Sequence, residues 1–416
     1  MMFSKSRLTF VTLLLVVGVG FSFAQNEKFQ QNLAIADSLY SDVLQEQRLI
    51  YVQYPDNYDP NDNVNYPVAF VLDAEFLMPT VHNFQGYYSG GFTPEMILIG
   101  ISTLNNRTRD LTTSVITESY GMPYTRENGK ASNFAKFMAD ELIPYVEANY
   151  RVTSFRTLIG HSYGGLFTVY ALLHHPELFS NYLAIDPSLD WDNQKLIKEG
   201  EQLLASKSYE GKSLFISLNG QLHWQNAAIT IDNVMDDTSD DTLFPRSNIT
   251  FRNSIHSHKS NGLAFQWKFY PNDLHGTIQF PSVRDGLIAM FEWFQMENTD
   301  KINSFETSTA DLNRIIRYRV DKLEQHFGYK VAPYPEDLLN MSGYMSMDMQ
   351  NMDRAQLYFK TAMEFYPNSA NVYDSMSDFY ERKEDIKNAL KYAEMANSKG
   401  PSDYLKKKID RLKKSN

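Results

Sequence analysis

Leu158-Ile159-Gly160-His161-Ser162-Tyr163-Gly164-Gly165 constrains this chain more than any other stretch. Apolar residues lead up to Gly160, and helical spacing resumes after Ser162 and continues through His174. The stretch therefore reads as a strand, a G-x-S-x-G turn and a helix. A turn that tight requires glycine at 160 and 164, because a side chain at either position would meet neighbouring backbone. It pushes a serine hydroxyl out at the carboxyl end of a sheet and aims the amides of a helix N-terminus at it.

The flanking sequence fits that reading. Short apolar runs recur at 48–55, 66–73, 96–102, 156–162, 182–186, 214–218 and 265–270. Several are almost continuously apolar, as expected for strands covered on both faces. Phe134, Phe137, Met138, Leu142, Tyr145 and Val146 fall at helical spacing within 132–150, and a further helix is expected over 282–294. Alternation of this kind predicts an α/β fold, a mostly parallel sheet covered by helices. Residues 77–130 and 187–262 are expected to supply loops or a lid, carrying Tyr87, Tyr88, Phe92, Tyr120, Tyr124, Trp191 and Trp224.

Beyond about residue 301 the strand pattern stops, and the chain repeats itself. Ala355, Phe359, Ala362 and Pro367 recur 34 residues later as Ala389, Ala393, Ala396 and Pro401, with Leu339 and Gly343 matched by Tyr373 and Ser377. A 34-residue period with small residues at these offsets is the tetratricopeptide pattern, in which small side chains let paired helices approach closely. An all-α, TPR-like C-terminal region is expected, ending in a solvating cap helix over 402–414, whose Lys406, Lys407, Lys408, Lys413 and Lys414 read as a solvated face. Its two repeats fall short of the three or so that an independent array needs, so docking on the rest of the chain is expected.

The N-terminus has the layout of a secretory signal: Lys5 and Arg7, an apolar run of 14 residues from Leu8 to Phe21, and Ser22-Phe23-Ala24 before Gln25. The run is short for a bilayer crossing, which needs about 20 apolar residues. The expected organisation is a signal peptide at 1–24, an α/β domain at 25–298, a helical linker at 299–335 and helical repeats at 336–416. Cleavage removes Lys5 and Arg7 and takes the net charge from −11 to −13. That charge, without a basic block, disfavours nucleic acid as a partner. The mature chain is expected to be exported, to periplasm or beyond, with no membrane span.

A serine hydroxyl is a poor nucleophile at neutral pH and needs a base. Of nine histidines, His275 alone lies directly after the last predicted strand and before the 282–294 helix. A base belongs there when the chain order is nucleophile, acid, base. His161 is expected to pack. The acid is less obvious, since the run 214–218 continues as Asn219-Gly220-Gln221 with no carboxylate. Asp241, from the acidic stretch that follows, is the preferred candidate; Asp186 is a second route, and a Ser–His dyad a third. The oxyanion hole is expected from the amide of Tyr163 and one at Glu75 or Phe76, each donor being worth roughly 3–4 kcal/mol in a comparable site. The acidic stretch lacks the D-x-D-x-D-G spacing of a calcium loop. The absence of cysteine excludes thiolate metal sites and a thiol nucleophile. No metal or cofactor is expected.

Further motifs occur in a fixed order over about residues 40–298: Tyr66-Pro67-Val68 through Leu72-Asp73, Pro94-Glu95-Met96-Ile97, Asn106-Arg107-Thr108-Arg109-Asp110-Leu111-Thr112, Glu141-Leu142-Ile143-Pro144-Tyr145, the serine turn, Pro187-Ser188-Leu189-Asp190-Trp191, His275-Gly276-Thr277, Pro281-Ser282 and Asp285-Gly286-Leu287. In these the chain resembles the esterase family of α/β-hydrolases, in the branch near the siderophore (enterochelin-type) esterases. The family also includes feruloyl and acetyl esterases and S-formylglutathione hydrolases. The resemblance implies an α/β-hydrolase fold, Ser162 as nucleophile and His275 as base, and Arg107 and Arg109 on the acyl or carboxylate side of the pocket. Trp191 is a further candidate substrate contact, since the lid aromatics suit an aryl or sugar-linked acyl group as well as lid packing. Some members with this resemblance work as Ser–His dyads. Asp190 departs from the pattern, because the branch usually has an aromatic residue there.

Together these readings predict an exported serine hydrolase that cleaves carboxylic esters through a Ser162 acyl-enzyme. Its small-molecule substrate would be a siderophore lactone or ester, an acylated carbohydrate or an aryl ester. The competing expectation is a catalytically weak, hydrolase-like scaffold whose repeats bind a protein partner or a second copy.

Overall fold

The computed structural model describes residues 33–56, 58–60, 64–119 and 121–415. The expected signal at 1–24 and Tyr120 lie outside these residues. Each of the seven apolar runs forms a strand: β2 (Glu46–Gln53), β3 (Tyr66–Leu72), β4 (Ile97–Ile101), β5 (Val152–His161), β6 (Asn181–Ile185), β7 (Ser213–Asn219) and β8 (Ala264–Tyr270). An eighth, β1 (Ile35–Ser41), was not expected. It pairs only with β2 and leaves Ile35 and Tyr40 exposed, so it lacks the continuous apolar pattern of a covered strand.

The sheet order is β1-β2-β4-β3-β5-β6-β7-β8. β2 runs antiparallel to β1 and β4, and every other pairing is parallel. Successive side chains of a strand face opposite layers, and the core divides accordingly. Val68, Phe70, Leu158 and Tyr182 pack with Phe134, Phe137, Leu166 and Phe167. Ala69, Val71, Ile159 and Leu183 pack with Leu77, Val81, Val283 and Leu287. The first layer comes from α2 (Ala131–Phe137, continuing through a π-helical turn at Met138–Leu142 into Ile143–Asn149) and α3 (Tyr163–His174). The second comes from α1 (Ala74–Tyr88) and α6 (Gln279–Met290). Residues 187–262 hold more regular structure than the expected loops, with α4 (Trp191–Ser206) and α5 (Leu243–Ser257) among them. Leu196, Ile197, Gly200 and Leu204 give α4 its buried stripe.

The C-terminal region is all helical. After α7 (Thr309–Phe327) come α8 (Glu336–Asp348), α9 (Met352–Phe365), α10 (Ala370–Arg382), α11 (Ile386–Lys399) and α12 (Asp403–Ser415). α10 and α11 each begin 34 residues after α8 and α9. Ala355, Ala362, Ala389, Ala393 and Ala396 are fully buried between the helices. Gly343 admits the Phe359 ring so closely that a Cβ there would lie 2.4 Å from it. Lys408 departs from the expected solvated face: it is buried on α12 and donates to Asp374 and Asp378, both at 2.6 Å. Among the described residues, no helix is long and apolar enough to cross a membrane.

α7 joins the two regions. Its Leu323 and Phe327 enter the same core as Phe155 and Phe291, with the Phe327 and Phe155 rings 5.0 Å apart. Its Leu312 and Ile316 pack with Leu339, Tyr358 and Ala362 of the extension. Truncating Phe327 to alanine removes a buried aromatic from the joint, and the expected loss is about 3–5 kcal/mol of unfolding free energy. Denaturant unfolding checks the size, and limited proteolysis should show cleavage beginning between residues 299 and 335.

Candidate active site

Six adjacent parallel strands, β4, β3 and β5 to β8, end on one side of the sheet, and the loops there converge. Such a carboxyl edge is where α/β sheets place ligands. β5 is central and delivers Ser162 with φ 60° and ψ −115°, a conformation L-residues rarely adopt. The turn closes because Gly160 lies against the next turn of chain: a Cβ there would sit 2.2 Å from the Gly164 carbonyl oxygen. Gly164 itself has ordinary room, its nearest contact being 3.4 Å. Gly165 is tighter, with Ile185 O and Pro187 each 3.0 Å away, so the second close approach is to β6 and not within the turn as expected. Backbone bonds from Ser162 N to Ile185 O (3.0 Å) and from Ser188 N to Ser162 O (3.1 Å) hold the turn. The Ser162 hydroxyl lies 3.3 Å from that of Ser188.

His275 sits in the loop after β8. Its Nδ1 donates to Asp186 Oδ2 at 2.6 Å. Asp186 directly follows β6, fully buried, and also accepts from Asn219 N (3.0 Å) and Asn219 Nδ2 (2.6 Å). The carboxylate on His275 is thus the second candidate, Asp186. Asp241 is not brought to His275; it pairs with His223 Nε2 at 3.6 Å, on the wall of an adjoining cavity. The reason is local: the short turn Asp240–Thr242 is tied to Asp237 through the Thr242 hydroxyl and leads directly into α5. Asn219 occupies the strand end where an acid was sought and donates to the acid one strand over. A buried Asp directly after an apolar strand, Ile185-Asp186-Pro187, was the available signal.

His161, expected only to pack, belongs to the same cluster. Its Nε2 lies 2.9 Å from the His275 carbonyl oxygen, and the two rings are 4.6 Å apart. Burial, followed by the charge of His275, pushes its pKa down to about 4. His161, Asp186 and His275 bring donor atoms within 4.8 Å of one another, as a metal site would. The Asp186 oxygens, however, are already taken by Asn219 and His275.

The amides expected to face an oxyanion divide differently from the expectation. Asp73 has φ 51°, so the chain enters α1 at once, and its carbonyl accepts from both Phe76 N (2.9 Å) and Leu77 N (3.0 Å). The Phe76 amide is therefore spent inside the helix. The Glu75 amide belongs to the first turn, which a helix leaves without internal acceptors, as does the Tyr163 amide opening α3.

Arg107 and Arg109 separate in the same way. Arg107 lines a cavity beside Ser162, but its guanidinium clamps Asp73 (2.9 and 2.8 Å) and donates to His161 O (3.1 Å), tying the α1 turn to the serine turn. Arg109 is not at the site. It donates to Glu46 (3.0 and 2.6 Å) and Asp110 (2.7 Å), in a network that Arg48 completes. One helical turn carries both side chains, and their two-residue spacing sends them to different partners. Trp191 lines the cavity that also holds Asp241, its indole donating to Ser114 O (2.9 Å) and its ring edge-on to Tyr163.

Two cavities share Ser162 and His275. The larger, about 730 Å³, has walls from Glu118, Tyr163, Trp191, Trp224, Asp241 and Phe244. The smaller, about 600 Å³, is bounded by Asp73, Phe76, Arg107, Gln279 and Phe280. Tyr88 stacks on Phe84 and meets Phe92 edge-on, away from these walls.

The family model described as "Putative esterase" matches residues 41–246. Ferri-bacillibactin esterase BesA of Bacillus subtilis is 29% identical over 200 residues, which is 44% of this chain and 68% of that protein. A siderophore enterobactin esterase of Emericella nidulans is 39% identical over 100 residues, covering 23% of this chain and 31% of that protein. Among solved structures, an IroE-like serine hydrolase from Shewanella oneidensis superposes with a TM-score of 0.65 at 24% identity, over 80% of this chain and 99% of that one. An uncharacterised protein from Capnocytophaga ochracea superposes with a TM-score of 0.57 at 18% identity, over 92% and 99%. These likenesses bear on the fold: a mostly parallel α/β-hydrolase sheet.

The Arg109 network gives the region beside the site a pH-dependent support. The hydrogen bond from Arg109 holds the Glu46 carboxyl down to about 2 from an ordinary 4.5. A carboxyl lowered on folding stabilises above its unfolded value, and that contribution is lost as pH falls from 4.5 towards 2. Glu46→Gln should therefore be less stable than wild type at pH 7, with the gap closing across that interval. Urea midpoints measured against pH for both proteins check it.

Proposed function

We propose that the chain is an esterase of α/β-hydrolase fold that acts after export on carboxylic esters, with Ser162, His275 and Asp186 as its triad. The observation that carries this reading is the strained Ser162 turn sharing two cavities with a histidine whose Nδ1 is held by a buried carboxylate.

In this reading the Ser162 hydroxyl turns from Ser188 and attacks the ester carbonyl carbon while His275 Nε2 takes its proton. Asp186 fixes the tautomer that leaves Nε2 free and stabilises the imidazolium that forms. The amides of Tyr163 and Glu75 receive the oxyanion. Collapse expels the alcohol, which takes the proton back from His275. Water, deprotonated by the same nitrogen, then releases the acid from Ser162. No step needs a metal or cofactor.

The two cavities suit an ester with a substantial group on each side of the scissile bond. The carboxylates of Glu118, Asp192 and Asp241 on the larger wall favour a neutral or donor-rich group there over an anionic one. Trp191, Trp224 and Phe244 offer ring faces and edges to an aryl group. We assign the substrate to the siderophore-type esters, in keeping with the relatives named as siderophore esterases.

Turnover of p-nitrophenyl esters and covalent labelling by a fluorophosphonate should both be seen in the wild type and vanish in Ser162→Ala. Absence of both from the wild type would sink the reading. Asp186→Asn is expected to lower kcat by about 10⁴-fold, whereas Asp241→Asn should stay close to wild type. The reverse ranking would return the acid's role to Asp241. A panel of metal-free trilactone siderophore, feruloyl ester and acetylated xylan, followed by chromatography, tests the substrate; preference for either of the last two overturns the assignment.

A further inference from the structure

We propose that His161 is a positioning residue for catalysis: its neutral imidazole holds the backbone carbonyl of His275, and so keeps the His275 ring in register with Asp186. This rests on the reading of His275 as the base.

The geometry runs as a chain of contacts. His161 is the last residue of β5, adjacent to Ser162, so its ring is carried by the strand that delivers the nucleophile. Its Nε2 is 2.9 Å from His275 O. Gln279, at the start of α6, places its amide nitrogen 3.3 Å from each ring nitrogen and 3.4 Å from His275 O. The consistent assignment is Nε2–H donating to the His275 carbonyl, with Nδ1 accepting from Gln279, which requires a neutral ring. The charged groups facing that ring are His275 and Asp186 across the cluster and Arg107 below it. Burial is the largest influence and keeps the ring neutral down to about pH 4. A neutral ring leaves Asp186 uncontested as the partner of His275.

The His275 loop has few other anchors of this kind. The ring is partly exposed, and the loop's own bonds, Thr277 Oγ1 to Asp273 (3.0 Å) and Leu274 N to Thr277 Oγ1 (3.0 Å), are internal to it. Gly220 N to Asp273 O (2.8 Å) ties the loop to the end of β7. His161 ties the loop to β5, the strand that delivers the nucleophile. A base must keep its geometry to well under an ångström, since a misplacement of about 1 Å can cost 10²-fold.

The test compares His161→Phe, which keeps the ring shape without the donor, with His161→Gln, which restores a side-chain donor. His161→Phe is expected to lose about 10²-fold in kcat with KM little changed. The acid limb of its kcat/KM profile should move to lower pH, because the imidazolium loses Asp186. His161→Gln should recover most of kcat and return the limb. Proton NMR reads the same register without turnover. The low-field His275 Nδ1–H resonance, bonded to Asp186, should be present in wild type and His161→Gln and lost to exchange in His161→Phe. Retention of that resonance and of the wild-type acid limb in His161→Phe overturns the proposal, as does a His161→Gln variant no better than His161→Phe. A wild type inert towards esters defeats the functional reading alone, and the NMR comparison then decides on His161.

Discussion

The near-contact between Gly160 and Gly164 is the constraint on which the rest of the site depends. Without it the chain could not leave β5 and enter α3 within one residue, and Ser162 could not hold φ 60°. Strain of this kind costs of order 1–3 kcal/mol. It persists because both neighbours are anchored: Leu158 and Ile159 are buried on opposite sheet faces, and Leu166 and Phe167 fix the first turns of α3. The Arg107 guanidinium, bound to Asp73 and to His161 O, links this turn to the one that opens α1. A residue expected to touch substrate is thus a strut between the turn into α1 and the serine turn.

Electrostatics explains where the acid ended up. A carboxylate as buried as Asp186 is tolerable only with several donors around it. Asn219 supplies two of them and His275 the third. The strand end that lacks an acid is therefore the support for an acid on the neighbouring strand. Asp241, on an exposed turn, lacks such an enclosure and pairs with a histidine at longer range.

The helical extension is joined to the sheet by a continuous core and not by a bare linker. α7 faces the hydrolase core with Leu323 and Phe327 and the helical pairs with Leu312 and Ile316. Two pairs are too few to stand as an independent array. Packing on α7 and closure by α12, with Lys408 seated on Asp374 and Asp378, supply what a third repeat would.

Local sequence determined the strands, the serine turn and the 34-residue helical offset. Each leaves a signature within a few residues of chain: the continuous apolar runs that hold Phe70 and Leu183, the glycine at 160, and small residues such as Ala389 at helical spacing. The position of His275 after the last strand was legible for the same reason. Tertiary structure alone decided the partners. Asp186 reaches His275 across 89 residues, His161 reaches the His275 carbonyl across 114, and Arg109 leaves the site for Glu46, 63 residues away. β1 escaped notice because an edge strand with a solvent-facing side needs no apolar run. Which carboxylate, arginine or amide serves the serine depends on how neighbouring strands bring their ends together and which charges can share a buried site. Spacing along the chain does not record that.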